Sequence, residues 1–337
     1  MTLTQLRALI AVADCDLNIT VAAERLNGTQ PGLSKQIKQL EDELGFLVFT
    51  RGARSLDGIT LAGLSVIDHA RLLLVQANNI KALADNLRQR TDGELRIATT
   101  HTQARFALPL ALASFNRKFP TIAVHLIPGS DAESLSKLDR DEVDFAIIST
   151  AGNEAPGGYI ALPIYRWDRI IVVPPPHALA KLDGKLSLSD LSKHPLVSYE
   201  SSMDPASSLR QAFNREGLAV NMAMTARDAD LIKTYVRAGF GVGILAEMAY
   251  GREDADLLRI DADGLLPQCT TWLLVRKDRV LRDYTGTLIQ RLIPALHSTD
   301  LKRLMRSVQP VLSGAAPQWR ENIEPGSKGQ FEICSAC

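Results

Sequence analysis

Residues 98–109, ATTHTQARFALP, place five hydrogen-bonding side chains between an apolar strand-like run and an apolar helix-like run. Three of them are threonines, and the other two are His101 and Gln103. Such groups in front of a helix can bind an anion, because the helix N-terminus adds unpaired N–H groups and a partial positive charge. Helix capping alone explains one or two of the hydroxyls. The stretch therefore predicts an oxyanion site built from neutral donors.

Two further hydroxyl clusters follow apolar runs. Ser149 comes directly after VDFAII, and Ser201 and Ser202 come shortly after PLVSY. Ligands of open α/β sheets bind at the carboxyl ends of the strands, so these side chains are expected to line a cleft.

A catalytic or metal site is not indicated. His101 could act as a base, but no nucleophile, base and orienting group occur together in a recognisable pattern. The remaining five histidines are isolated, and no HExxH motif appears. Cys334 and Cys337 have CxxC spacing without a second pair of ligands. We therefore expect no enzyme activity, no metal and no other cofactor.

Strand-like and helix-like segments alternate from Gly93 onward, from LRIATT to GVGILAEMA. This alternation predicts parallel sheets covered by helices. Interruptions near residues 162–169 and 263–268 divide the run, so a middle segment is expected to form a sheet of its own. The predicted boundaries are 92–312 for the α/β domain, 92–163 with 266–300 for its lobe I, and 164–265 for its lobe II.

Two short helical patterns precede this domain in residues 20–45, TVAAERLNGTQPGLSKQIKQLEDELG. Asn27 and Gly28 supply the turn, Thr29 can cap the second helix, and Pro31 lies in its first turn, where a missing N–H costs nothing. The core face of the second helix is predicted from steps of four, three and four: Leu33, Ile37, Leu40 and Leu44.

The opposite face of the second helix carries side chains that can pair with phosphates or read base edges: Gln30, Ser34, Lys35 and Lys38. Acidic residues 41–43 lie at its far end, which suits a helix that enters a major groove with its N-terminal half. Residues 1–60 hold six basic and seven acidic side chains, so this interpretation depends on where the bases are placed. A solvated amphipathic helix pair is the alternative.

Residues 22–51, AAERLNGTQPGLSKQIKQLEDELGFLVFTR, resemble the winged helix-turn-helix of LysR-type transcriptional regulators. The most specific stretch in that family is A-A-x-x-L, then S/T-Q-P-x-L-S-x-Q-I-x-x-L-E-x-x-L-G and an F-x-R wing. The resemblance implies an all-α winged helix-turn-helix domain at residues 1–59. It also implies DNA contacts by Gln30, Pro31, Ser34, Lys35, Lys38 and Arg51.

A long helix is predicted next, since residues 60–91 contain no proline. Its apolar residues repeat at steps of four and three, which predicts a helix of about 40 Å that pairs with another copy of itself. A helix buried along one side of its own domain is the alternative, whereas the LysR-type resemblance implies a dimer, and a homotetramer of such dimers. The seam residues are Val66, Ala70, Leu73, Ala77, Ile80, Ala84 and Leu87.

Within this family, IATTHTQARFALP, DFAI, AFNREGL and ARDADLIKTYVRAGFGVGILA are similar to the CysB-like branch, the regulators of sulfur assimilation, over residues 1–295. The resemblance implies a two-lobed effector domain like a periplasmic binding protein, with a cleft for sulfate or acetylated serine. It carries over Thr100, Thr102 and Gln103 as effector ligands, and Ser149 keeps the hydroxyl of a threonine.

The sequence YESSMDP, residues 199–205, departs from the branch. By its spacing to the shared AFN, Asp204 and Ala206 stand where relatives carry a ligand threonine and an arginine. A carboxylate close to a dianion repels it. Either Asp204 points away and Ser201 or Ser202 substitutes, or the effector carries an amine or a neutral head group. We include Ser202 in the predicted effector site.

These features predict a regulator that binds promoter DNA and controls sulfur assimilation, cysteine biosynthesis or sulfonate utilisation. The expected effectors are sulfate, thiosulfate, N-acetylserine, O-acetylserine or a sulfonate. A LysR-type regulator of another pathway is the alternative, and an enzyme or a solute-binding protein is a more distant one.

Composition adds little about partners, because 38 basic side chains balance 38 acidic ones. The N-terminus lacks a secretory signal and no apolar run is long enough for a membrane span, so we expect a cytoplasmic protein. Residues 313–337 are rich in Gly, Pro and Ser and are expected to be disordered or loosely docked.

Overall fold

The computed structural model describes residues 1–52, 55–182, 184–262, 264–305 and 316–322. The chain divides into two compact units. Unit 1 contains Met1–Arg90 with Asp278–Arg282, and unit 2 contains Thr91–Lys277 with the chain from Asp283 onward. None of the helices in the described ranges combines the length and the apolarity that a membrane span needs.

Unit 1 begins with three helices around one apolar core, followed by a two-stranded wing and a long helix. Thr29 caps the third helix, its hydroxyl accepting the N–H of Gly32 at 3.4 Å, and Pro31 lies in the first turn, so both predictions are confirmed. The elements are α1 Leu3–Asp14, α2 Ile19–Arg25, α3 Gln30–Leu44, β1 Phe49–Arg51, β2 Leu56–Ile59 and α4 Leu61–Leu87.

The turn between α2 and α3 follows its predicted chemistry. Asn27 adopts a left-handed conformation (φ 51°), and Gly28 donates its N–H to the carbonyl of Ala23 at 2.8 Å. The predicted core face of α3 is confirmed, since Leu33, Ile37 and Leu40 are buried and Leu44 packs against them half-buried.

The long helix α4 buries one side within unit 1. Ile67 and Ala70 join the core of the first three helices, and farther along Asn79 binds residues 278–282 of the same unit. The amide of Asn79 donates to the Asp278 carbonyl and accepts the N–H of Val280, both at 2.7 Å. This side of α4 therefore follows the alternative interpretation, a helix buried against its own domain.

The other side of α4 exposes an apolar stripe that we call the α4 stripe. Three of the predicted seam residues belong to it, whereas the alanines of the seam are buried or half-buried. An exposed row of large aliphatic side chains is typical of an interface. The α4 stripe consists of Leu72, Leu73, Ile80, Leu83 and Leu87, which are 46–87% exposed.

We expect Ile80→Glu, in the middle of the α4 stripe, to weaken self-association at least about tenfold, because a buried unpaired charge costs several kcal/mol. Sedimentation velocity over a concentration series measures this. Lys81→Gln changes the charge by the same amount on an exposed position off the stripe and serves as the control. If Ile80→Glu sediments like the unchanged protein at every concentration, the stripe is not the interface.

Unit 2 is an α/β structure with two five-stranded sheets. Its strands are β3 Gly93–Thr99, β4 Ile122–Pro128, β5 Phe145–Ala151, β6 Tyr159–Trp167, β7 Arg169–Val173, β8 Leu196–Tyr199, β9 Met222–Ala226, β10 Val242–Ala246, β11 Leu258–Asp261 and β12 Cys269–Arg276. Its α-helices are α5 Pro109–Lys118, α6 Asp131–Asp139, α7 Leu188–Ser192, α8 Ser208–Arg215, α9 Ala229–Arg237, α10 Asp283–Leu292, α11 Ser298–Leu304 and α12 Trp319–Asn322.

The sheet of lobe I has the order β4-β3-β5-β12-β6, and that of lobe II has the order β11-β7-β10-β8-β9. The prediction of parallel sheets is wrong in part, since β12 runs antiparallel to both of its neighbours and β7 is antiparallel to β10 and β11. The chain leaves lobe I along β6 and returns along β12, so these two strands must run in opposite directions. Strand β6 continues to Trp167, beyond the expected boundary at residue 163, because its pairing with β12 extends to that residue.

Part of the expected tail is ordered. Residues 316–322 pack on unit 2 through an aromatic ring and a cation with specific partners, so these residues follow the docked alternative of the expectation for the tail. Residues 313–315 and 323–337, including the cysteine pair, lie outside the described residues. The two contacts are an edge-to-face ring pair between Trp319 and Tyr165 at 4.8 Å and a salt bridge between Arg320 and Glu247 at 2.6 Å.

Candidate functional site

The predicted DNA-contacting residues of α3 lie at the surface of unit 1. Gln30, Pro31, Lys35 and Lys38 are exposed, and Ser34 is half-buried. Residues three and four apart share one face of a helix. The N-terminal half of α3 therefore presents an amide, a hydroxyl and two ammonium groups together to solvent.

Arg51, the sixth predicted contact, is tied to α3 by a salt bridge. Its guanidinium pairs with Glu41 of α3 at 2.7 Å and remains 48% exposed. Glu41 is buried and also accepts the N–H groups of Val48 and Phe49 at 2.9 and 3.1 Å, so it is not a surface acid as the sequence suggested. This carboxylate fixes the first strand of the wing to α3. Arg54, three residues after Arg51 and a further base that could contact phosphates, lies outside the described residues.

A cavity of about 120 Å³ opens between the lobes of unit 2. In lobe I the lining residues follow β3 and β4 or lie near the ends of β5 and β6, and in lobe II they lie at the ends of β8, β9 and β10. These are the carboxyl ends of the parallel strands, where ligands of open α/β sheets bind. Pockets for drug-sized molecules occupy roughly 300–1,000 Å³, so this cavity suits a much smaller ligand.

Thr100 and Thr102 lie in this cavity, in the turn that follows β3. The hydroxyl of Thr100 accepts the N–H of Gln103 at 3.4 Å. Thr102 donates to the hydroxyl of Tyr199 at 3.3 Å, and Tyr199 belongs to lobe II, where it also accepts the N–H of Ala246 at 3.2 Å. Thr102 therefore forms a hydrogen bond between the two lobes beside the cavity.

The helix after Thr102 begins as a π-helix, Gln103–Ala107, in which the N–H of Leu108 donates to the carbonyl of Gln103 at 3.1 Å. Pro109 follows at the start of α5 and has no N–H to donate to a preceding carbonyl. A π-turn before a proline thus widens the helix at the cavity, as often occurs at functional sites.

Gln103 is buried, and both ends of its amide have protein partners. Its oxygen accepts the hydroxyl of Tyr165, and its nitrogen donates to Thr271 at 3.2 Å and to Ser149 at 3.4 Å. The hydroxyls of Ser149 and Thr271 are themselves 3.0 Å apart. Gln103 therefore positions Ser149 at the cavity. The sequence analysis did not predict this hydrogen-bond network, because Thr271 and Tyr165 come from strands that are distant in the chain.

The lobe II wall differs from the predicted one. Ser202 is buried and its hydroxyl lies 3.0 Å from that of Ser198, so Ser202 points into lobe II, whereas Ser201 lines the cavity. A 3-10 turn at Glu200–Met203 produces this change of direction. Asp204 is exposed and accepts the N–H of Ala206 at 2.8 Å, so it points away from the cavity.

Asp131 is a carboxylate in the cavity that the sequence analysis missed. It begins α6, and its Oδ1 accepts the main-chain N–H of Ser149 at 3.1 Å. Burial raises the pKa of this carboxyl to about 6, although the Ser149 hydrogen bond acts in the opposite direction. The available signal was PGSDAE directly after the strand-like run TIAVHLI, a further strand end with polar side chains.

Arg227 and Glu200 form a salt bridge of 3.0 Å at the cavity, with side chains that are 60% and 54% exposed. Neither residue was predicted. The lining thus combines one guanidinium with two carboxylates, those of Glu200 and Asp131, and the imidazole of His101. An excess of carboxylates over cations repels a dianion and weakens its binding to the neutral donors of this cavity.

Comparison with protein families finds a match for each of the two parts of the chain. Residues 3–63 match the family described as bacterial regulatory helix-turn-helix protein, lysR family, and residues 88–296 match the LysR substrate binding domain. The chain belongs to the LysR family of transcriptional regulators. The resemblance to this family that the sequence motifs indicated is thereby confirmed.

Individual LysR relatives resemble this chain over most of its length. The HTH-type transcriptional regulator CysB of Haemophilus influenzae is 40% identical over 91% of this chain and 94% of its own. The HTH-type transcriptional regulator cbl of Escherichia coli is 35% identical over 90% of this chain and 96% of its own. The crystal structure of the cofactor-binding domain of the Cbl transcriptional regulator superposes with a TM-score of 0.59 at 34% identity, covering 64% of this chain and 95% of that domain.

We expect the carboxyl of Asp131 to titrate near pH 6, because burial favours its neutral form. Its native pKa lies above the ordinary value of 3.8, so its contribution to stability is largest at low pH and falls as the pH rises from about 4 to 6. Carbon-13 NMR of aspartate carboxyl groups, compared with Asp131→Asn, identifies the signal. Glu200 and His101 also line the cavity, and the aspartate label distinguishes Asp131 from both. A midpoint near pH 4 would contradict this expectation.

Proposed function

We propose that this LysR-type regulator binds promoter DNA through α3 and the wing, and senses a small ligand in the cavity of unit 2. Its target genes would serve sulfur assimilation, cysteine biosynthesis or sulfonate utilisation. The proposal rests on a cavity lined by Thr100, Thr102, Gln103 and Ser149 in a chain that resembles the CysB-like branch. The relatives named CysB and cbl support the same assignment.

In the proposed effector site, Thr100 and Thr102 supply hydroxyls from lobe I, and Gln103 holds Ser149 in place. Ser201 takes the part that the sequence assigned to Ser202, because Ser201 lines the cavity and Ser202 does not. The acidic group of the effector would be bound by neutral donors at the ends of the strands.

The effector would act by stabilising one arrangement of the lobes. A ligand in this cavity contacts both lobes, and the Thr102–Tyr199 hydrogen bond lies beside it. A ligand shifts such an equilibrium only by as much as its affinity differs between the two arrangements. That difference would then alter how the subunits of an oligomer are arranged on DNA.

On DNA, the N-terminal half of α3 would lie in the major groove. Gln30 and Ser34 are placed to read base edges, while Lys35, Lys38 and Arg51 would contact phosphates. Self-association through the α4 stripe would give a homodimer, and dimers would combine into a homotetramer that binds paired half-sites. The protein would act in the cytoplasm, without enzymatic activity. The alternative is a LysR-type regulator of another pathway, which would bind DNA and self-associate in the same way but respond to a different effector.

We expect Lys35→Ala to weaken binding to all DNA sequences and to lower the salt slope, −dlogK/dlog[salt], by about 0.9 for the lost phosphate contact. Gln30→Ala should instead cost about 1–3 kcal/mol on the specific site and relax base preference. Fluorescence anisotropy measures both effects, using genomic fragments that the unchanged protein captures. Lys81→Ala, on the exposed surface of α4, is the matched control. Unchanged binding by both α3 variants would refute the assignment of α3.

A further inference from the structure

The effector cavity contains a carboxylate without a cationic partner. Asp131 receives one hydrogen bond there, from the N–H of Ser149, and across the described ranges no lysine, arginine or histidine pairs with it. The main-chain N–H of Ser149 lies near the carboxyl end of β5, where ligands of open α/β sheets bind. The protein's own carboxylate already occupies that donor.

The remaining charges in the cavity do not compensate for Asp131. Arg227 is paired with Glu200 at 3.0 Å, and both side chains are more than half exposed at the cavity edge. Besides the imidazole of His101, the lining carries one guanidinium and two carboxylates. A ligand with a net negative charge must therefore approach an uncompensated carboxylate, which costs free energy.

The same cavity also offers donors that suit an acidic group. The hydroxyl of Thr100 accepts the N–H of Gln103, which leaves its proton to be donated, and Ser201 lines the opposite wall. Acceptor and donors thus belong to one cavity of about 120 Å³. This volume suits a small ligand.

We propose that the effector is a small zwitterion whose ammonium group binds the Asp131 carboxylate, while its acidic group binds the hydroxyls of Thr100 and Ser201. This assignment rests on the proposed function and narrows its effector to amino acids or aminosulfonates with a free amine. An N-acylated or purely inorganic anion lacks the cation that Asp131 requires.

Matched ligand pairs test this on the full-length protein by isothermal titration calorimetry at pH 7.5. Taurine and propane-1-sulfonate differ by the exchange of an ammonium for a methyl group. Serine and N-acetylserine differ by acylation of the amine. We expect at least one zwitterion to bind about tenfold or more tightly than its anionic partner, since a charge-assisted hydrogen bond contributes to its binding alone.

The variant Asp131→Asn keeps an oxygen that can accept the Ser149 N–H and removes the charge. We expect it to abolish the preference for the zwitterion, with the two members of the pair then binding within about twofold of each other. Asp204→Asn removes a carboxylate of the same type outside the cavity, and it should keep the preference unchanged. Thermal melting shows whether each variant is folded.

Each outcome distinguishes this inference from the function on which it rests. Anions that bind as tightly as the zwitterions overturn the inference and leave an anion-sensing regulator standing. A zwitterion preference that survives in Asp131→Asn overturns the role of Asp131. If neither these pairs nor sulfate, thiosulfate and O-acetylserine bind, both the inference and the sulfur-related effector of the proposed function are wrong, and the DNA assignment is unaffected.

Discussion

The hydrogen bond from the main-chain N–H of Ser149 to the carboxylate of Asp131 constrains what the cavity of unit 2 can bind. It places a negative charge at the end of a strand, among hydroxyls that would otherwise suit an anion. Burial makes that charge costly, and the raised pKa of Asp131 expresses the cost. A ligand that supplies a cation lowers this free-energy cost, whereas an added anion raises it.

The surrounding polar groups make this arrangement rigid. Buried polar atoms must find partners, and Gln103 finds them in residues from three strands, so it cannot turn without leaving several groups unsatisfied. The same principle operates in unit 1, where buried Glu41 holds the wing against α3 through two main-chain N–H groups and Arg51. In both units, a buried side chain with several hydrogen bonds positions the groups that face solvent.

Local signals made unit 1 predictable. A cap at Thr29, a proline in the first turn of α3 and an apolar repeat act over a few residues, and each determines structure without distant partners. The clusters at Thr100 and Ser149 could be located because strand ends are visible in the sequence. The inward turn of Ser202 and the position of Asp131 depend on packing between distant segments, which a linear pattern does not contain. The antiparallel strand β12 was missed for a similar reason, because its direction follows from the return of the chain between lobes.

The most direct test of this account is the affinity for sulfate as a function of pH, measured by calorimetry on the unchanged protein and on Asp131→Asn. At pH 7.5 the account predicts at least about tenfold tighter binding of sulfate by Asp131→Asn, because the variant lacks the repelling charge. At pH 5.5 the difference should narrow, since Asp131 with a pKa of about 6 is then largely protonated. Equal affinities of the two proteins for sulfate at pH 7.5 would contradict the account.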